Sequence, residues 1–212
     1  MTKKRNTSVI LRRLEEMYPD ARPELHFSNP YETLVATMLS AQSTDVQVNK
    51  VTPAVFRDFP TVETMAAATP ETLLPYVRSC GFVSKATNIV LAARDIMKRF
   101  GGQVPGTLEG LTSLKGVGRK TANVVLANAF GVPAMAVDTH VFRVSNRLGL
   151  AEAATVEKTE QQLMENIPQV LWNKAHHWLI FHGRRVCKAR KPDCLHCGLL
   201  SLCAHPQIDV KP

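Results

Sequence analysis

Four cysteines fall within seventeen residues near the end of the chain, spaced Cys187-x6-Cys194-x2-Cys197-x5-Cys203, while a fifth, Cys80, stands alone. A loop that short cannot bury a core of its own, so something must organise it. In a reducing compartment four such thiols point to a metal centre rather than to two disulfides. Four thiolates suit either an iron–sulfur cluster or zinc. Structural zinc usually draws on two separated Cys-x2-Cys knuckles, whereas one loop wrapping all four ligands favours the larger [4Fe–4S] group. Cys80, followed by Gly81 and Phe82, reads as a small buried hydrophobe.

The rest of the chain is patterned for helices. Apolar residues recur at three- and four-residue spacing and almost no alternating run is long enough for a strand, so an all-α fold is expected. Helices are predicted over 8–18, 31–41, 45–58, 62–68, 71–79, 85–100, 108–114, 119–130, 139–148, 156–167 and 171–186. Start signals stand at Ser28-Asn29-Pro30, Thr61 and Thr69-Pro70, and stops at Gly101-Gly102, Gly106, Gly131 with Pro133, and Gly149. No repeat, low-complexity tract or flexible linker divides the 212 residues. No apolar run approaches the length of a membrane span, and the basic start lacks the apolar stretch of a signal peptide, which makes a cytoplasmic protein the expectation.

Formal net charge is +8, compatible with an anionic partner. Five cations crowd into eight residues around the first cysteine of the loop: Arg184, Arg185, Lys188, Arg190 and Lys191. Such a run is either a solvated face or, held beside a metal centre, a set of phosphate contacts.

Two further stretches carry chemistry. In Leu114-Lys115-Gly116-Val117-Gly118-Arg119-Lys120-Thr121, a Gly-x-Gly turn separates two helical patterns. The glycines permit a tight hairpin, and the first amides of the next helix lack intrahelical partners and point outward at the positive end of its dipole, a place to bind a phosphate. Lys120 falls in the first turn of that helix beside Arg119. Both oppose a positive charge there and favour a neutral, nucleophilic amine, although most lysines in such motifs only neutralise a phosphate. In the second stretch Gly131 and Pro133 turn the chain, and a short apolar segment delivers Asp138 to the cap position of the helix containing His140 and Val141. Capping alone would account for an aspartate there.

These residues together resemble the helix–hairpin–helix DNA glycosylase superfamily, in particular its iron–sulfur branch, the endonuclease III family. The resemblance rests on the hairpin with Lys120, on Val137-Asp138-Thr139-His140-Val141, on the cysteine loop, on Leu39-Ser40-Ala41-Gln42-Ser43-Thr44-Asp45 and on His176-His177-Trp178-Leu179-Ile180. It covers nearly the whole chain. It implies a six-helix barrel over residues 23–133, and an iron–sulfur domain formed by 1–22 with 134–212. The implied nucleophile and carboxylate are Lys120 and Asp138. The implied DNA contacts are Gln42, Phe82, Lys115, Gly116, Val117, Gly118, Arg119, Thr121, His140, Arg184, Arg190 and Lys191, and the implied ligands of a [4Fe–4S] cluster are Cys187, Cys194, Cys197 and Cys203. The implied activity is that of a monomeric glycosylase and AP lyase of the cytosol, acting at the nucleoid. Its substrate would be duplex DNA with damaged bases or abasic sites. Adenine-specific relatives lack a lysine at the hairpin position, so Lys120 argues against that specificity. Two departures stand out: Lys115 replaces a usual proline, and Cys80-Gly81-Phe82-Val83-Ser84-Lys85-Ala86 is one residue short, with Phe82 where the family has a leucine wedge.

Overall fold

A computed structural model describes residues 3–208; residues 1–2 and 209–212, which belong to the expected terminal domain, lie outside the described residues. Eleven α-helices and three short 3-10 turns make up its regular structure, and no strand forms among the described residues. The chain divides into two compact units, one of residues 23–132 and the other of 1–22 with 133–212. No helix among the described residues is long and apolar enough to cross a membrane.

The 23–132 unit contains α2 (Pro30–Ser40), α3 (Asp45–Asp58), α4 (Val62–Ala67), α5 (Pro70–Val77), a 3-10 turn at Arg78–Cys80, α6 (Ser84–Phe100), α7 (Leu108–Thr112) and α8 (Arg119–Ala129). The start signals act as local chemistry requires. Asn29 accepts the Glu32 amide, with Pro30 in the first turn where its missing N–H costs nothing. Thr61 and Thr69 each close a reciprocal capping box, with Thr64 and Thr72. The organising element is α2, whose residues from Tyr31 to Leu39 are buried apart from Glu32; it packs on α3, α6 and α8. Helix α6 packs on α4 and α5, and α7 on α8.

The other unit holds α1 (Lys3–Met17), α9 (Thr139–Leu148), α10 (Val156–Asn166), a 3-10 turn at Gln169–Leu171, α11 (Trp172–Arg185) and a last 3-10 turn at Leu200–Leu202. Its centre is α11, buried continuously from Ala175 to Gly183 and packed on α1 and α9. One core joins Leu14 and Tyr18 from α1 and its end, Val141, Val144 and Leu148 from α9, Leu163 from α10, Trp178 and Leu179 from α11, and Leu199 from the cysteine loop. Gly183 lets α11 approach α9 closely, since a Cβ there would lie 2.9 Å from His140 Nδ1.

Candidate nucleic-acid interface and metal centre

The hairpin is built by its own buried residues. Leu114 and Val117 are buried, and the Val117 amide donates to the Leu114 carbonyl to close the turn. Between them Gly116 adopts φ 77°, a left-handed conformation. A Cβ at Gly116 would lie 2.7 Å from Asn88 Cβ on α6, so close packing as well as conformation requires glycine. Gly118 is the N-cap of α8 and brings no side chain to cap its first amides. Lys115, Arg119 and Lys120 are all exposed around this turn.

Asp138 belongs to the other unit. The segment before it, Ala134 to Val137, is buried, and His176 Nδ1 on α11 lies 2.8 Å from the Ala136 carbonyl, pinning that segment. Asp138 is the N-cap of α9, with Oδ1 accepting the Val141 amide at 2.8 Å. One carboxylate oxygen is therefore spent on the cap. His140 is half-buried, its Nδ1 3.1 Å from Arg143 Nη2.

All four clustered cysteines line a single cavity, together with Arg147, Leu148, His182 and Leu200. Three of the sulfurs already have hydrogen-bonding neighbours. Arg147 Nη1 lies 3.5 Å from Cys187 Sγ, the Leu199 amide 3.4 Å and His182 Nε2 3.7 Å from Cys197 Sγ, and Cys203 Sγ 3.2 Å from the Arg147 carbonyl. Burial pushes the Cys197 and Cys203 thiols up, with the neighbouring cysteines adding to it. Such a site favours protonated thiols until a cation arrives to hold them as thiolates. Four thiols thus line one cavity, and thiolates are ligands for iron–sulfur clusters as well as for zinc.

The loop backbone is held by two arginines that sequence reasoning did not single out. Arg143 donates from Nε and Nη2 to the Cys187 carbonyl, at 3.1 and 3.0 Å, and from Nη2 to the Gly183 carbonyl at 3.1 Å. Arg147 donates to the carbonyls of Lys188 at 2.8 Å and Ala189 at 3.3 Å. The legible signal was their i, i+4 spacing on α9, which puts both on one face. Behind Cys197, Tyr18 Oη lies 2.8 Å from His182 Nδ1. Burial pushes the Tyr18 phenol up to about 12 and the His182 imidazole down to about 4, so both are neutral near pH 7.

The basic run divides. Arg185 is committed to the fold, paired with Asp20 at 3.0 Å and stacked 4.4 Å from the Phe181 ring centroid. Lys188, Arg190 and Lys191 are exposed, while burial of the Arg184 guanidinium pushes its pKa down. In the 23–132 unit Gln42 is exposed just past α2, in a left-handed conformation (φ 56°) that a non-glycine residue adopts only at a cost. Phe82 is 60% exposed and its neighbour Val83 59%. The structure thus gathers the hairpin residues in one turn and the four cysteines around one cavity, and puts Lys120 and Asp138 in different units.

A family model described as HhH-GPD superfamily base excision DNA repair protein matches residues 35–169, well over half of the chain. Endonuclease III of Synechocystis sp. is 47% identical over 208 residues, 97% of this chain and 95% of that protein. The chain belongs to the endonuclease III family. With that family it is a base excision repair enzyme, a DNA glycosylase. Endonuclease III of Escherichia coli K12 is 45% identical over 203 residues, covering 95% of this chain and 96% of that protein. Among solved structures, a trapped endonuclease III–DNA covalent intermediate in an estranged-adenine complex matches at TM-score 0.91 and 45% identity, over 96% of this chain and 97% of the other. A thermostable thymine-DNA glycosylase, 23% identical, shares the fold at TM-score 0.82.

Proposed function

We propose that the chain is a bifunctional glycosylase and AP lyase that removes oxidised pyrimidines from duplex DNA and cuts the abasic strand 3′ to the lesion. The observation that carries the reading is the hairpin: an exposed lysine in the first turn of α8, next to a glycine N-cap that leaves the helix amides to an outside acceptor. Those amides, with Lys115, Arg119 and Thr121, bind backbone phosphates and fix the strand beside Lys120. The 23–132 unit acts as the six-helix barrel that presents this hairpin, and the other unit as the iron–sulfur domain.

A base stacked in a duplex is out of reach, so the damaged nucleotide is flipped out, with Gln42 and Phe82 entering the gap. The Lys120 amine attacks C1′ as the bond from C1′ to the base breaks, and the base leaves with the electron pair and takes up a proton. Asp138 acts as proton acceptor and stabilises positive charge on the sugar. The aminal so formed then opens: the C1′–O4′ bond breaks, O4′ takes up a proton, and the lone pair of the lysine nitrogen forms the Schiff base between Lys120 and C1′. Loss of a 2′ proton then expels the 3′ phosphate oxygen by β-elimination, and hydrolysis frees Lys120.

Cys187, Cys194, Cys197 and Cys203 would hold a [4Fe–4S] cluster, which when bound supplies the covalent frame of the loop rather than a chemical step. Arg143 and Arg147 brace that loop, Arg190 and Lys191 face the DNA phosphates from it, and Arg184 does so from the end of α11. A cytosolic, monomeric enzyme working at the nucleoid is consistent with this role.

The test is borohydride trapping on duplex DNA containing an abasic site. The intact protein is expected to give a covalent protein–DNA product, and Lys120→Ala none, with its melting temperature unchanged because the side chain is exposed. Failure of the intact protein to trap would leave a DNA-binding protein without the lyase.

A further inference from the structure

Lys85 is 7% exposed and sits in the first turn of α6, where the helix dipole opposes its charge. Its Nζ donates to the Leu39 carbonyl at 2.7 Å and to the Cys80 carbonyl. Leu39 lies in the last turn of α2 and Cys80 ends the 3-10 turn, so both carbonyls belong to the group that a helix end leaves without intrahelical partners. One buried ammonium thus caps two helix C-termini, the favourable end for a cation.

Those two ends are the places where the Gln42 loop and the Phe82 loop begin. One more tie joins the same loops. Gln47 Nε2 donates to Ser79 Oγ at 2.8 Å, beside Cys80, itself 1% exposed. Residues 39 and 47 flank Gln42 in sequence, while 79 and 85 flank Phe82, so each loop is fastened to the other on both sides. Gly81 at φ 110° makes the turn between Cys80 and Phe82. The strained backbone of Gln42 and the 60% exposure of Phe82 are what remain free of this framework.

We propose that Lys85 is a positioning residue that staples the Gln42 and Phe82 loops into one two-pronged unit, so that both side chains enter the DNA gap together rather than independently. This rests on the reading of Gln42 and Phe82 as inserting residues. Separate loops would each be ordered on binding, at separate entropic cost; a stapled pair is preorganised and its two insertions are energetically coupled.

The experiment is a double-mutant cycle on binding preference, the ratio of affinity for duplex carrying a tetrahydrofuran abasic analogue to affinity for undamaged duplex. In the parent protein Gln42→Ala and Phe82→Ala are each expected to lower this ratio about tenfold, and the double variant by clearly less than their product, on the order of thirtyfold rather than a hundredfold. In the Lys85→Met background, which keeps the apolar stem but removes the ammonium, the ratio should already be several-fold lower and the two remaining losses should multiply. Unchanged coupling in that background overturns the staple while leaving insertion intact. If neither single variant lowers the ratio, the insertion reading falls and the staple with it. Should Lys85→Met fail to fold, Gln47→Ala removes the part-exposed tie to Ser79 without stranding a buried group, and is expected to weaken the coupling partly; full coupling in Gln47→Ala would then count against the staple.

Discussion

The hairpin at 113–118 and the cysteine loop at 187–203 are both irregular segments at helix ends, and both are proposed to meet phosphate, but they are held in different ways. The hairpin is self-sufficient: two apolar anchors, one left-handed glycine pressed on Asn88, and a helix that begins at once. The cysteine loop has no helical turn between Arg185 and Leu200. Its carbonyls are taken up by Arg143 and Arg147, Cys187 and Leu199 anchor it in the core, and its four thiols surround a cavity. The first grip is made by backbone conformation, the second, on the proposed reading, by thiols that take a cluster from outside the chain. The two should therefore fail differently.

Removing one ligand is the largest test. The intact protein, purified without oxygen, should be brown and carry about four irons per chain. Cys197→Ser should lose colour and iron together, and with them the ordered loop and the core contact of Leu199. The expected result is a drop in melting temperature of 10 °C or more, on the view that a metal centre's binding energy is largely folding energy, and a hundredfold or greater loss of DNA affinity. Zinc in place of iron in the intact protein, or normal DNA affinity without iron, would break the contrast.

Next comes Asp138, which serves both the fold and the proposed chemistry. Asparagine caps a helix about as well as aspartate, so Asp138→Asn should keep the Val141 hydrogen bond and the melting temperature. It cannot accept the proton, so base excision under single turnover should fall by roughly 10² or more while DNA binding persists. Asp138→Ala should add about 1 kcal/mol of lost stability to the same loss of rate. A variant Asp138→Asn with full activity would leave the residue as a cap alone.

The hairpin's own dependence on backbone is tested by Gly116→Ala. The added methyl group meets Asn88 Cβ at 2.7 Å and is placed on a left-handed backbone, so the cost should be on the order of 2 to 3 kcal/mol. Affinity should fall alike for lesion-bearing and undamaged duplex, because phosphate contacts position the strand without reading it, and iron content should not change. A loss confined to lesion-bearing DNA would move this turn from the backbone grip to the lesion pocket.

What could be read beforehand follows the same division. Caps and breakers act locally, and Asn29, Thr61 and Thr69 begin helices as their chemistry requires. Helix α1 starts at Lys3 rather than at 8, because its charged opening carries no apolar periodicity to detect. The predicted 108–114 helix ends at Thr112, since Leu114 is buried as the anchor of the turn rather than as another helical residue. The 71–79 prediction merged α5 with the 3-10 turn that follows it, two conformations with nearly the same apolar spacing. The cysteines were legible from spacing alone. Arg143, Arg147, His182 and Lys85 were not, because each works through a carbonyl or sulfur distant in sequence, 44 residues for Arg143 and 46 for Lys85. Of the basic run, charge density was legible but not its division, because the pairing of Arg185 with Asp20 bridges 165 residues.

The smallest expected effect lies in that division. Arg190 and Lys191 are exposed on the cysteine loop, and Lys191 holds φ 51°, a conformation glycine adopts freely and lysine does not. Lys191→Gly should therefore remove a cation and relieve the backbone at once, leaving the folded protein equally stable or about 1 kcal/mol more so. If Lys191 meets a phosphate, the slope of log affinity against log salt should flatten by about one unit, and by about two when Arg190→Ala is added. The losses should be equal on damaged and undamaged duplex. Arg185→Ala offers the contrast within the same run: it breaks the Asp20 pair and the stacking on Phe181, so it should lower stability while changing the slope little. A slope unmoved by Lys191→Gly with Arg190→Ala would make the loop's charge a solvated face, and leave the hairpin as the chain's principal grip on phosphate.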